Sequence, residues 1–314
     1  MNRKVLLQLT LPLVGLSVLF WLLAFAPGEK HHRPALLEMS VILRDGDGAV
    51  STMRKGMEQA AKDLNVELRF LTPSEDNSAA EQVELLEREV AGAAPAILLI
   101  PADREVLGDT VSAVSGKTTL VTVETDMAAW GAAASVTMDH QALGEALGAA
   151  ALNGVPAGGT VLLLDSLPGD NGIRERLEAA KAVLEREGRQ VRICRWNCGS
   201  TSFADILRIE RPSAVIAFEA AALGDMAELS KGEAAFPLLY GCGSTSGIAA
   251  ALEKGRVTSI AAVNVFSAGY LAVEAGAKLA RHENWTGVST VGFSIVRKET
   301  MYDSDNQKLL FPVT

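Results

Sequence analysis

The sequence predicts a two-lobed α/β protein in which each lobe is a doubly wound parallel sheet. Three observations carry this. Short, continuously apolar runs such as AILLI (96–100), TVLLLD (160–165) and AVIAF (214–218) recur along the chain after about residue 37. Amphipathic stretches of helical period separate them, and strands apolar on both faces belong to parallel sheets covered by helical crossovers. The strands number about ten in roughly 275 residues, more than one compact sheet usually holds, so two lobes are predicted.

The elements follow in order. MSVILR (39–44) is a strand ending at DGDG (45–48). AVSTMRKGMEQAAKDL (49–64) places Val50, Met53, Met57, Ala60 and Leu64 on one helical face. VELRFL (66–71) is a strand, SAAEQVELLEREVAG (78–92) an amphipathic helix, and AILLI a strand. A helix around REVLGDTVSAV (104–114), then TLVTV (119–123) and SVTMD (135–139), continue the alternation. Helices from Gln141, Asn171, Phe203, Ala220, Thr245 and Ser267 then alternate with TVLLLD, QVRIC (190–194), AVIAF, PLLY (237–240), TSIAA (258–262) and GFSIVR (292–297). Right-handed crossovers wind such units into open sheets.

Composition narrows the function. The chain has 314 residues, 48% of them hydrophobic, and a net charge of −9. Its pI of about 5.1 excludes a nucleic-acid partner, which needs a basic face. Three cysteines make no disulfide framework; Cys194 and Cys198 either pair or stand as free thiols. His31 and His32 lie in a polar linker and His140 and His282 stand alone, so no metal-ligand spacing is present and no metal or cofactor is predicted.

The N-terminus carries Arg3 and Lys4, then Val5 to Ala26 without a charge. A helix of that length spans about 33 Å, enough to cross a bilayer core. The apolar run exceeds that of an ordinary signal peptide, and Pro27 disfavours cleavage after Ala26. An uncleaved, single-pass signal-anchor is predicted, with the N-terminus cytoplasmic and the remainder outside; a cleaved leader is the alternative.

In open α/β sheets ligands sit beyond the carboxyl ends of the strands. That rule selects RDGDG (44–48) with Asp45 and Asp47, PAD (101–103) with Asp103, and ETD (124–126) with Glu124, Thr125 and Asp126. It also selects DSLPGDNGIR (165–174), FEA (218–220) with Glu219, GCGSTSG (241–247) with Cys242, and AVNVF (262–266) with Asn264. The glycines of GCGSTSG come near the end of the chain and no lysine follows them, so neither a dinucleotide fingerprint nor a P-loop is present. They read as a tight strand-to-helix turn.

Four stretches together resemble the type I periplasmic sugar-binding proteins, the family of ribose-binding protein. They are GMEQAAKDLNVELRFL (56–71), AILLIPADREVLGDTV (96–111), SVTMDHQALGEALGAAAL (135–152) and TVLLLDSLPGDNGIRERLEAAKAVLE (160–185). The likeness runs in order from about Glu38 to Glu299, and includes the family's Asp-x(4)-Gly-x(3)-Gly crossover at Asp139, Gly144 and Gly148. It implies two lobes, 37–138 plus 264–292 and 139–263 plus 293–314, after an N-terminal segment 1–36. Three crossings near Asp139, Val263–Asn264 and Gly292 would form the hinge.

The resemblance also implies an extracytoplasmic receptor that closes on a small polar, sugar-like solute and hands it to an ABC permease or a membrane sensor kinase. Arg174 matches the family's ligand-donating arginine; a helix-surface pair with Glu178 is the other reading. Asp47 takes the place of a ligand-binding asparagine, or else caps the next helix as an Asp-Gly turn. Glu124 and Glu219 take the places of an aspartate and an asparagine, or cap helices. Thr125 replaces an arginine, Cys242-Gly243 replaces Phe-Asp, and Asn264 is next to the place of a glutamine, or serves the hinge alone. Ala49 and Val50 replace the aromatic rings that stack on sugar, so a pocket that has drifted or lost its ligand is an alternative. An α/β enzyme is the other, though neither a Gly-x-Ser-x-Gly elbow nor a first-unit glycine fingerprint is present. The chain is read as a binding protein and not an enzyme.

Overall fold

The computed structural model describes residues 35–45, 51–167, 169–195, 203–232, 235–285 and 287–311. The predicted span Val5–Ala26, Asp47, Ala49 and Cys198 lie outside the described residues. Among the described residues, no helix is long and apolar enough to cross a membrane. Of the two compact units of the chain, Met1–Ala35 and Leu36–Thr314, the second carries every element below.

One six-stranded sheet contains β1 (Leu37–Ile42), β2 (Val66–Leu71), β3 (Ala96–Leu99), β4 (Thr119–Glu124), β5 (Ala134–Met138) and β11 (Val288–Val291). Its order is β11-β5-β4-β3-β1-β2, and every pairing is parallel. The other holds β6 (Thr160–Asp165), β7 (Gln190–Arg195), β8 (Ala214–Ala217), β9 (Leu238–Cys242), β10 (Ser259–Val263) and β12 (Phe293–Val296). Its order is β12-β10-β9-β8-β6-β7, parallel except for β10 against β12. Every residue of β3, β8 and β10 is buried, as strands covered on both faces must be.

The covering helices of the first sheet are α1 (Ser51–Leu64), α2 (Ala79–Ala91) and α3 (Arg104–Val114). Those that follow are α4 (His140–Leu152), α5 (Asn171–Arg186), α6 (Phe203–Glu210), α7 (Ala220–Leu229), α8 (Ser246–Glu253), α9 (Val265–Ala280) and α10 (Ser304–Leu310). The chain passes between the sheets three times. After β5 it enters α4, which packs on α5, β9, β10 and β12; after β10 it enters α9, which packs on α1, β3, β4 and β5. The third passage separates β11 from β12. Strand β11 is the one strand that periodicity missed: VSTV is a short edge strand with three of its four residues incompletely buried, so its apolar pattern is faint. Helix α10 also has no counterpart in the sequence reading.

Glycines set how closely the paired helices approach. A Cβ on Gly56 of α1 would lie 2.0 Å from the Phe266 carbonyl oxygen of α9, and one on Gly269 would lie 2.1 Å from that of Met53. The second sheet repeats the device, because a Cβ on Gly144 of α4 would lie 2.2 Å from the Arg176 carbonyl oxygen of α5. Backbone-to-backbone contact of this kind leaves no space for a methyl group. Gly144→Ala is therefore expected to destabilise the protein by about 1–3 kcal/mol. Gly224→Ala in α7, where a Cβ meets nothing within 4 Å, should be neutral or stabilising by up to ~1 kcal/mol. Urea unfolding midpoints for the two variants check the contrast; equal effects would contradict the packing account.

Candidate functional site

The carboxyl ends of both sheets contribute to a cavity of about 80 Å³. Its charged lining consists of Arg44, Glu124, Asp170, Arg176 and Glu219, with His140 and Cys242 beside them. Such volume is below the ~300–1,000 Å³ of sites that enclose drug-sized ligands.

Arg44 follows β1, so its side chain leaves the sheet at the carboxyl edge. Its Nη1 donates to Asp170 Oδ2 at 2.7 Å and lies 3.0 Å from Glu124 Oε2, while Nε is 3.5 Å from Asp45 Oδ2. Burial opposes its charge, yet Glu124, Asp170, Asp45 and Glu219 together outweigh that penalty and raise its pKa above the ordinary value. Asp45 shows the reverse balance: burial raises its pKa despite Arg44 beside it. Arg44 Nε and Asp45 Oδ1 have no hydrogen-bond partner.

Glu124 ends β4 with φ at 68°, in the left-handed region. For a glutamate this costs about 1–2 kcal/mol. The conformation is held from both sides, since the Glu124 carbonyl accepts from Thr137 Oγ1 and His140 Nε2, each at 2.9 Å. It turns the strand end so that the carboxylate reaches Arg44. His140 Nδ1 accepts from Arg176 Nε at 3.0 Å. An arginine can only donate, so His140 is neutral with its proton on Nε2. Burial and the Arg176 charge lower its pKa accordingly.

Arg176 is buried, and its remaining donors go to the Phe218 carbonyl at 2.7 Å, Met138 Sδ at 3.0 Å and Cys242 Sγ at 3.7 Å. Its bonded partners are thus all neutral, since burial pushes the Cys242 thiol pKa up. A chain of contacts therefore links the end of β4 in one sheet to the ends of β8 and β9 in the other.

Two carboxylates serve helices and cavity together. Asp170 Oδ1 accepts from Ile173 N at 2.9 Å at the start of α5, which leaves Oδ2 for Arg44. Glu219 accepts from Ala221 N and Ala222 N, each at 2.8 Å, at the start of α7. Positive helix ends stabilise both charges. The turn GCGSTSG lines the cavity through Cys242, Gly243, Ser244 and Thr245. A Cβ on Gly241 would lie 2.5 Å from the Ala217 carbonyl oxygen, and Gly243 has φ at 140°, so these glycines make room for backbone.

Of the residues expected from sequence, Glu124, Thr125, Glu219 and Cys242 line one cavity, with Asp45 against Arg44 at its edge. Four others stand elsewhere. Arg174 lies on the exposed face of α5 and donates to Asn171 Oδ1, and it is Arg176 that lines the cavity. The buried stripe Ile173, Arg176, Leu177 and Ala180 sets the helix rotation, and two positions on a helix differ by about 200°. Asp103 caps α3 through Glu105 N at 2.9 Å and Val106 N at 3.3 Å. Asn264 caps α9 through Ser267 N at 3.0 Å. Asp126 is exposed, accepts from Ala128 N and lines a neighbouring outer groove.

Sequence reasoning did not single out Arg44 and Asp170, although both lie in stretches the strand-end rule selects, and it did not select His140 or Arg176. A charge ending the apolar run MSVILR and an aspartate directly before a helix were the available signals. Among the described residues no cluster suits a metal ion.

The neutral His140 implies a pH dependence. Its folded-state pKa lies below the ordinary 6.5, so the unfolded chain binds the proton first. Its contribution to stability is complete above pH 6.5 and is lost as pH falls toward the lowered value. Asp45, with its pKa raised above 3.8, has the opposite sign, and so the difference between proteins is the useful quantity. Between pH 7 and 5 the wild type should lose more unfolding free energy than His140→Gln in urea titrations. Parallel curves would contradict the assigned tautomer.

The geometry described above has relatives. No curated protein matches the chain in sequence. Among solved structures, a carbohydrate transporter solute binding protein from Agrobacterium radiobacter in complex with D-arabinose superposes with a TM-score of 0.80 at 18% identity, covering 88% of this chain and 99% of that one. An ABC transporter solute binding protein from Agrobacterium vitis with bound D-fucose gives 0.79 at 18% identity, covering 87% and 100%. A chain of the XylFII–LytSN complex gives 0.76 at 15% identity, covering 85% and 99%. These likenesses concern the fold, two parallel-dominated sheets with the chain crossing three times between them. The family model described as periplasmic binding protein domain matches residues 40–284, most of the folded unit and every cavity residue named above. The chain therefore belongs to the periplasmic binding protein domain family, whose members and structural neighbours here are binding proteins and not enzymes.

Proposed function

We propose that this protein is an extracytoplasmic solute receptor that closes two lobes on a small polar, sugar-like molecule. One observation carries the reading: charged side chains from both sheets, Arg44 and Glu124 on one side and Asp170, Arg176 and Glu219 on the other, converge on one cavity. Carboxylates and guanidinium groups fixed at strand ends are suited to the hydroxyls of a polyol, each taking defined donors or acceptors. Aliphatic side chains, Ile173, Val263 and Val265, offer the apolar contact; no Phe, Tyr or Trp is among the described lining residues.

In this reading the lobes are 37–138 plus 264–292 and 139–263 plus 293–314, and they rotate about the three crossings. A ligand that touches both lobes only when they meet shifts the population toward closure. The apolar segment Val5–Ala26 tethers the receptor to the membrane, close to an ABC permease or a sensor that reads the closed form. Relatives with bound D-arabinose and D-fucose support the solute class, and a relative solved as a complex with a second protein supports a partner that reads the receptor.

D-Arabinose, D-fucose, further monosaccharides, polyols and amino sugars should be screened by thermal shift. A solute present at 100 times its Kd stabilises the folded form by about 2.7 kcal/mol. If the protein is folded and none of these compounds raises its melting temperature, the receptor reading fails. For the solute found, Arg176→Met is expected to weaken binding at least tenfold in calorimetry, whereas Arg174→Ala should leave the affinity within twofold. The opposite ranking would move the site away from this cavity.

A further inference from the structure

We infer that Arg44 is a built-in occupant of the cleft: it links the lobes by gripping Asp170 and Glu124, and an entering solute must compete with it for those carboxylates. The inference rests on the reading of the cleft as a solute site, and it assigns Arg44 as the residue that sets affinity and resting closure.

The geometry is that of a tethered ligand. Arg44 leaves β1 of the first sheet, and Asp170 heads α5 of the second, 126 residues further along the chain. Their 2.7 Å contact joins two side chains that are only 12% and 10% exposed. The same Nη1 lies 3.0 Å from Glu124, so one donor group spans a carboxylate from each side. Charge-assisted bonds away from water are stronger than their surface equivalents. Removing one partner leaves the other buried and uncompensated, which is the costly case.

Charge balance makes the same point. Asp45, Glu124, Asp170 and Glu219 gather about the cavity against Arg44 and Arg176, and Arg176 spends its bonded donors on neutral atoms. Arg44 is therefore the cation that directly contacts three of the four acids. A solute hydroxyl or ammonium that binds Asp170 Oδ2 or Glu124 Oε2 competes with its Nη1 for those oxygens. The grip is incomplete, because Arg44 Nε and Asp45 Oδ1 lack hydrogen-bond partners. A second link between the lobes, Arg104 to Glu175 at 3.3 Å, is 29% and 46% exposed; exposed pairs of this kind contribute little.

Solution X-ray scattering of the solute-free protein tests the assignment. Wild type should fit the arrangement with the lobes in contact. Asp170→Asn keeps an oxygen to cap α5 but removes the negative charge, and is expected to lower the closed-to-open ratio at least tenfold, read as a larger radius of gyration. Arg44→Gln, changed from the opposite lobe, should do the same, with circular dichroism confirming that each variant is folded. A wild type already open without solute would overturn the inference, even if both variants failed to fold. Folded variants with the wild-type scattering curve would also overturn it. No arm contains a solute, so failure here is distinct from failure of the receptor reading, which the thermal-shift screen detects.

Discussion

A parallel strand covered on both faces has no solvent side on which to carry polar function, so its chemistry is displaced to its ends. The strands β3, β8 and β10 are buried throughout, and the groups that can meet a solute follow from that constraint. Arg44, Glu124, Glu219 and Cys242 lie at or just after the carboxyl end of a strand, and Asp170 heads the helix that follows β6. Two sheets with their carboxyl ends turned to one cavity bring these residues together although the chain separates them by as many as 198 positions, from Arg44 to Cys242.

The cavity wall and the scaffold share atoms. Asp170 and Glu219 cap α5 and α7 with the same carboxyl groups that contribute charge to the cleft. The Glu124 carbonyl, held by Thr137 and His140, keeps a left-handed backbone in place while the Glu124 carboxylate meets Arg44. Strain maintained by surrounding bonds is typical of functional positions. His140 stands at the first passage between sheets and joins Glu124 to Arg176, so the cleft and the passage through which the lobes would rotate are one hydrogen-bonded structure.

Helix spacing has a consequence for the site as well. Gly144 seats α4 directly on the backbone of Arg176, and the rotation of α5 that follows turns Arg176 inward and Arg174 outward. Motif matching at that segment selects the first arginine of IRER, because it reads order along the chain. Burial selects the second, because a helix is read by rotation about its axis. The difference is two residues, and it decides which guanidinium belongs to the cleft.

Alternation of apolar runs with amphipathic stretches predicts two parallel sheets with helices on both faces, and the strand-end rule selects Glu124, Thr125, Glu219 and Cys242, which line one cavity. These are local or periodic properties, and the burial that drives them is written residue by residue. Periodicity could not locate β11, whose short edge position leaves little apolar signal, nor the rotation of α5, nor the meeting of Arg44 with Asp170. Those depend on contacts between distant segments: Arg44 has Asp45 beside it and Glu124 in its own sheet, and reaches Asp170 only when the second sheet is brought against the first.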